Sequence, residues 1–154
     1  MNQVAAAALT FRLAALPAFR DYASLVLANA KALALALNER QVKLITGGTD
    51  NHLLVIDTVA SFGIDGSQAQ EALDRVGLTT NKQVIPDDPN PPMRPSGLRL
   101  GTPAPTARGM GTTEMMEIGA IISETLSAQG DRATEEKLAA RTRALTSRFA
   151  VPGL

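Results

Sequence analysis

Five prolines stand within thirteen residues, 85 to 97, which read "IPDDPNPPMRPSG". No other feature of the chain restricts its fold as strongly, because proline fixes φ and lacks the N–H that a helix interior or a central strand requires. We therefore predict a long loop here, with regular structure on both sides. Loops of this length on a folded scaffold often carry function, so these residues are the first candidate region.

The composition limits the class of protein. With 154 residues, 45% of them hydrophobic, the chain has the size and core-forming content of one ordinary domain. Its 15 basic and 15 acidic side chains balance, which disfavours nucleic acid and anionic membrane surfaces as partners. The absence of cysteine excludes disulfides, thiolate metal sites and a cysteine nucleophile, and it fits a reducing, cytoplasmic compartment.

The N-terminus contains an apolar run, 4–9, that resembles part of a signal peptide. The three residues before it carry no charged side chain and Arg12 follows closely, so the charge pattern of a signal peptide is missing. No segment reaches the roughly 18 to 20 uninterrupted apolar residues of a membrane span. We expect a soluble, cytoplasmic protein.

Hydrophobic periodicity predicts an alternation of helices and short strands. Helices are predicted up to Leu16, from a break at Pro17 to Asn38, from a Ser67–Gln70 capping box to Val76, across Met115–Leu126, and over 133–148. Short strands are predicted at 43–46, 53–58, 78–80 and 98–100, with a turn at Gly47–Gly48. This order predicts an α+β fold in which helices cover a small sheet.

The segment "TGGTDNH", 46–52, has two interpretations. Paired glycines can expose backbone N–H groups to an anion, but a turn between strands is the interpretation we favour. His52 is the only histidine, and a catalytic triad or metal site would have to use it with Asp50 or Asp57. No ligand spacing supports a metal, so we predict none.

Two cationic side chains could carry chemistry. Lys82, in "TTNKQ", could form a Schiff base if it were desolvated, although an exposed lysine at a strand end is commoner. Arg99 lies in "SGLRLGTPA", an apolar segment bounded by glycines, and arginine always keeps its charge. An anion must therefore face Arg99, and an internal acid or a bound carboxylate or phosphate fits this pattern equally well.

Three stretches in this order resemble one family. "TGGTDNHLLVID", "LTTNKQVIPDDPNPP" and "SGLRLGTPAPTARG" are similar to the C-terminal part of serine hydroxymethyltransferase, a pyridoxal-phosphate enzyme of the aminotransferase-like fold (fold type I). The segment "FRDYASLVLANAKALALAL" also resembles the helix that leads into the small domain of this family. The resemblance implies a small, mostly antiparallel sheet with helices on one side.

The resemblance also implies roles for individual residues. Arg99 would bind the carboxylate of serine or glycine, and Asn90, Pro91 and Pro92 would contribute to the tetrahydrofolate site. Gln83 stands where the family usually has an asparagine that contacts the pterin. Met93 stands where the loop usually ends in an aromatic residue.

The chain resembles roughly the last third of the family, so the resemblance implies a missing large domain or companion chain. That domain would hold the Schiff-base lysine, since Lys82 matches the folate region, and pyridoxal phosphate would bind only in its presence. Residues 1–40 would be a helical lead-in that packs on the large domain, and 41–154 the small domain. We expect the isolated chain to be inactive, to expose an apolar patch and to form homo- or hetero-oligomers.

Two further functions stay open at this point. One is a non-catalytic remnant or assembly module that associates with an intact enzyme. The other is a binding protein for a small anion, in which Arg99 acts without pyridoxal phosphate.

Overall fold

The computed structural model describes residues 1–152, which form seven helices and three strands. In chain order these are α1 (Asn2–Ala14), α2 (Pro17–Asn38), β1 (Leu53–Asp57), α3 (Thr58–Phe62), α4 (Gly66–Arg75), β2 (Asn81–Gln83), β3 (Gly97–Gly101), α5 (Pro103–Ala107), α6 (Thr112–Ala128) and α7 (Arg132–Thr146).

The sheet is antiparallel, with β3 between β1 and β2. Side chains alternate between its two faces, so the buried Leu98 and Leu100 point into the core while Arg99 lies exposed on the opposite face. The helices cover the face that carries the two leucines. The predicted α+β fold, with an antiparallel sheet and helices on one side, is confirmed.

The most extensive contact between two helices joins α2 to α6 and forms much of the core. Leu33 and Leu37 of α2 are buried there, and Gly119 of α6 lies against Ala36. A Cβ at Gly119 would stand only 2.6 Å from the Ala36 Cβ. The absence of a side chain at Gly119 therefore sets how closely the two helices approach.

The first helix buries none of its residues. Large hydrophobic side chains are exposed along it and into the start of α2: Val4, Leu9, Phe11, Leu13, Leu16 and Phe19. Pro17 is the first residue of α2, where its missing N–H costs nothing, so the predicted break is confirmed. Within residues 1–152, no helix is both long and apolar enough to cross a membrane.

The predicted strand at 43–46 is wrong. Only one bridge forms there, between Leu44 and Ile56. The chain turns immediately afterwards, because the Gly47 N–H donates to the Leu44 carbonyl at 3.1 Å and Gly47 has a positive φ of 69°. The segment is therefore too short to continue the ladder, although Leu44 remains buried in the core.

The N-cap of α4 lies two residues earlier than predicted, and the capping box uses different residues. Asp65 is the N-cap, and it forms a capping box with Gln68 in place of the predicted Ser67 and Gln70. The Gln70 side chain instead accepts a hydrogen bond from the Lys82 N–H at 2.9 Å. The predicted pair matched the sequence signature, but Asp65 is the better N-cap because its carboxylate also pairs with Arg94.

The strand predicted at 78–80 is displaced to Asn81–Gln83. Gly77 has a φ of 81°, and the Leu78 N–H donates to the Leu73 carbonyl at 2.9 Å. These contacts still belong to the end of α4, so extended pairing begins only after Thr80. The other strands and helices lie within a few residues of the prediction, and the short helices α3 and α5 were not predicted.

Candidate functional site

Arg99 occupies the centre of β3, directly opposite Val55 of β1 and Asn81 of β2. Because β3 is the middle strand, its pairing with β1 and with β2 holds the backbone of Arg99 on both sides. Its side chain lies on the face that the helices leave open. The glycines at both ends of the strand, Gly97 and Gly101, share that face, so no side chain next to it on β3 shields the guanidinium.

The guanidinium of Arg99 has one hydrogen-bond partner in the described part of the chain. Its Nε donates to Oδ1 of Asn81 at 3.3 Å. No carboxylate of residues 1–152 lies within ion-pair distance of it, whereas Arg75, Arg94, Arg132, Arg141 and Arg148 all have acidic partners. The internal ion pair considered for Arg99 is therefore not formed by residues 1–152.

Gln83 lies on the same face of the sheet as Arg99 and Asn81, because it is two residues along β2 from Asn81. Its side-chain Nε2 donates to the Val84 carbonyl at 3.1 Å. The structure thus brings together Arg99 and Gln83, two of the residues singled out in the sequence. Asn81 completes the group, and its position opposite Arg99 depends on strand register, which the sequence did not predict.

The proline-rich loop is ordered by one carboxylate, that of Asp88. It accepts hydrogen bonds from the Ser96 hydroxyl at 2.6 Å and the backbone N–H groups of Ser96, Asn90 and Ile85 at 2.9, 3.0 and 3.2 Å. These bonds, that from the Ser96 hydroxyl first, lower the pKa of Asp88 from 3.8 to about 2. The predicted loop is confirmed, and an aspartate between prolines is the sequence signal for its turns.

The loop places the other candidate residues around this carboxylate. Asn90 donates through Nδ2 to the Ser96 hydroxyl oxygen at 2.9 Å, so its side chain is already engaged within the loop. Pro91, Pro92 and Met93 follow it and are exposed. Met93 is 75% exposed, which leaves its side chain open to contacts from outside the chain.

Lys82 fastens the loop to α4. Its Nζ donates to the Met93 carbonyl at 2.8 Å and lies 3.4 Å from the Ser67 hydroxyl. Arg94 forms a second connection, an ion pair with Asp65 at 2.7 Å. Partial burial raises the pKa of Asp65, but hydrogen bonds from the Gln68 N–H and from Arg94 outweigh it and hold that pKa below its usual value. Lys82 is paired with Leu98 in the sheet, so it lies on the face opposite to Arg99.

The "TGGTDNH" segment forms a hydrogen-bonded turn. Thr46 donates to the Gly48 carbonyl at 2.6 Å, and the Asn51 side chain accepts from the Leu53 N–H at 2.7 Å. Asp57, considered as a partner of His52, instead caps α3 and pairs with Lys43. In the described part of the chain, no three His, Asp or Glu side chains are grouped so that they could hold a metal ion.

Comparison with known proteins shows which family this chain is similar to. The family model described as serine hydroxymethyltransferase matches residues 1–122. The serine hydroxymethyltransferase of Koribacter versatilis (strain Ellin345) is 50% identical over 128 residues, which cover 83% of this chain and 30% of the relative. That of Rippkaea orientalis (strain PCC 8801 / RF-1) is 43% identical over 98% of this chain and 36% of the relative.

A third relative, "serine hydroxymethyltransferase 2" of Ralstonia nicotianae (strain ATCC BAA-1114 / GMI1000), is 46% identical over 98% of this chain and 37% of its own length. The chain therefore spans about a third of the length of these relatives. The match to the family model covers well over half of the chain, and a C-terminal part of the family fits the motifs found in it. The chain belongs to the serine hydroxymethyltransferase family.

Proposed function

We propose that this chain is the C-terminal domain of a cytoplasmic serine hydroxymethyltransferase-like enzyme, which converts serine and tetrahydrofolate to glycine and methylenetetrahydrofolate. In this proposal Arg99 binds the carboxylate of the amino-acid substrate. The observation that carries it is the charge on Arg99, which faces the open side of the sheet with Asn81 as its one partner among residues 1–152. A cation held on a rigid strand without an acid suits an incoming carboxylate.

The hydrogen bond from Arg99 to Asn81 favours one binding geometry. Because Nε donates to Asn81, the two terminal nitrogens, Nη1 and Nη2, are left to donate to a ligand. Two parallel N–H donors match the two oxygens of a carboxylate, which a lysine cannot reproduce. Arg99 would thus orient the amino acid as well as attract it.

The folate part of the proposal rests on Gln83 and on the loop after it. Gln83 can donate and accept hydrogen bonds as the family's usual asparagine does, with one more methylene of reach. Asn90, Pro91 and Pro92 lie on the loop that Asp88 orders, and the two prolines are exposed. These residues would form one wall of a tetrahydrofolate site, the opposite wall coming from another domain.

Pyridoxal phosphate would have to be anchored elsewhere. A cavity of about 630 Å³ adjoins Arg99, and none of the four lysines of the chain lines it. Lys82 and Lys43 are engaged with Met93 and Asp57, and Lys31 and Lys137 lie on α2 and α7. When bound, the cofactor supplies an electron sink, but the residues described here do not fit its attachment, so we derive no step through it.

The missing parts would come from a large domain or companion chain that packs on the exposed apolar side chains of α1. The test is to mix this chain with the N-terminal segment of the Koribacter versatilis relative that precedes the matched region. Pyridoxal phosphate, serine and tetrahydrofolate are added, and the formation of glycine is measured. We expect activity from the mixture and none from either part alone.

Two variants make this test specific. Arg99→Ala should abolish glycine formation without preventing association, while Arg143→Ala, an exposed arginine on α7, should leave both unchanged. Association without activity would support the non-catalytic assembly module instead. Absence of any association with several such segments would contradict the proposed role as a domain of this enzyme.

A further inference from the structure

A cavity of about 630 Å³ lies at the end of the sheet formed by Leu53, Asn81 and residues 99–101, and the helices α5, α6 and α7 form much of the rest of its wall. Most of its wall is apolar and includes Leu33, Met115, Ile118, Ile122 and Leu145. The volume lies within the range of small-molecule binding sites. Arg99 lines the cavity on one side, so the space extends from the candidate carboxylate site into the helical layer.

Three buried polar atoms without a hydrogen-bond partner belong to residues that line this cavity. They are the hydroxyl oxygens of Thr80 and Thr142 and Nε of Arg108. Thr142 is only 3% exposed, so bulk solvent does not satisfy its hydroxyl. Buried polar atoms in folded proteins almost always have a partner, and three unpaired ones around one cavity indicate that something else binds there.

Arg108 and Thr142 lie close to the same turn of α7. Nη2 of Arg108 donates to the Thr146 carbonyl at 2.9 Å, and Thr146 is one helical turn after Thr142. The Thr142 methyl lies 3.6 Å from the position of a Cβ on Gly77, three residues before Thr80. All three residues line the cavity, and Thr80, Arg108 and Thr142 are called its polar cluster from here on.

The charge of Arg108 selects the kind of ligand. The Arg108 guanidinium is half-buried and donates to two carbonyls, of Thr146 and Phe149, which neutralise no charge. Within residues 1–152, no acidic side chain forms an ion pair with it. Water could satisfy the two hydroxyls, but it would leave the guanidinium without a counter-ion and the apolar wall without a contact.

We propose that the cavity binds a small carboxylate with an apolar body, such as a short-chain fatty acid. Its carboxylate would accept hydrogen bonds from Arg108 Nε and from the Thr142 hydroxyl. Its hydrocarbon part would lie against Ile118 and Ile122. This site goes beyond the proposed function, since it takes a different ligand and depends on Arg108 and not on Arg99.

The test is a titration of the 154-residue chain with hexanoate, followed through the methyl NMR signals of Ile118, Ile122 and Leu145. We expect saturable binding that shifts these signals. Acetate, which lacks the apolar body, and hexanol, which lacks the charge, should each bind more weakly. The Arg108 side chain also supports the end of α7, so Thr142→Val is the better variant, because it removes the hydroxyl and keeps the shape.

Thr142→Val should weaken hexanoate binding about tenfold, the effect expected for one hydrogen bond to a charged group. Thr125→Val is the matched control. Thr125 is also a buried helical threonine, but its hydroxyl donates to the Ile121 carbonyl and it does not line the cavity. The affinity of the Thr125→Val variant for hexanoate should equal that of the wild type. Absence of saturable binding, or equal affinity of Thr142→Val and wild type, would overturn the proposal.

Discussion

The carboxylate of Asp88 accepts hydrogen bonds from both the hydroxyl and the backbone N–H of Ser96, at 2.6 and 2.9 Å. Four of the seven residues between them are prolines, which donate no backbone hydrogen bond. The carbonyl of Ser96 in turn accepts from the N–H and the hydroxyl of Thr58, both at 2.9 Å. The Asp88–Ser96 contact therefore closes the proline-rich loop and joins it to α3.

This contact predicts a pH dependence of stability. The pKa of Asp88 is about 2 in the folded chain against an ordinary 3.8, so its charged form stabilises the fold above pH 3.8. That contribution is lost as the pH falls from 3.8 through about 2. Asp88→Asn should therefore lower the thermal midpoint at neutral pH, and the difference from wild type should shrink as the solution is acidified.

The neighbouring Asp87 provides the control for this measurement. It is exposed, has a positive φ of 53° that asparagine tolerates well, and makes no side-chain hydrogen bond within residues 1–152. Asp87→Asn should leave the midpoint unchanged at every pH. A constant difference between Asp88→Asn and wild type across the acidic range would contradict the role given to the Asp88 carboxylate.

Gly97 is required where the proline-rich loop enters β3. A Cβ at this position would lie 2.5 Å from both the Gln83 carbonyl oxygen and Cγ2 of Ile85. Gly97→Ala should therefore push β2 away from β3 and destabilise the fold by roughly 1–3 kcal/mol, as overpacking does. Gly48→Ala is the control, since nothing lies within 4 Å of a Cβ there. Equal urea midpoints for the two variants would contradict this prediction, because β2 would then move aside without any loss of stability.

The exposed side chains of α1 predict self-association of the isolated chain. Phe11 is 74% exposed on a helix that buries none of its residues. Because contiguous apolar surface associates in water, the wild type should sediment as a concentration-dependent oligomer. Phe11→Glu should shift the distribution toward monomer, and Lys137→Glu on α7 should not. Identical sedimentation of wild type and Phe11→Glu at all concentrations would exclude α1 as the contact surface.

Patterns within single segments predicted much of the fold. The kink at Pro17, a strand around Arg99 and the helical face of Met115, Ile122 and Leu126 were all visible in the sequence, because each depends on local periodicity or on proline. The capping box of α4 was assigned to the wrong pair, since two candidate caps stand two residues apart. Only the pairing of Asp65 with Arg94, 29 residues away, favours the correct one.

The candidate site was only partly predictable, because it also depends on contacts between residues that are far apart in the sequence. The need of Arg99 for an anion follows from its charge, but its pairing with Asn81 depends on strand register across eighteen residues of chain. The position of Lys82 on the opposite face follows from the same register. The cavity and its polar cluster combine residues from the end of α4, from Arg108 after α5, and from α7, and no local pattern in the sequence relates them.

The central claim is that Arg99 binds the carboxylate of the amino-acid substrate, and the most direct measurement is the KM for serine of the reconstituted enzyme. Arg99→Lys keeps the charge but loses the paired donors. We predict that it raises the KM for serine by roughly tenfold or more, the loss expected for one hydrogen bond to a charged group, while Arg143→Lys leaves it unchanged. A KM for serine equal to that of the wild type in Arg99→Lys would contradict the account.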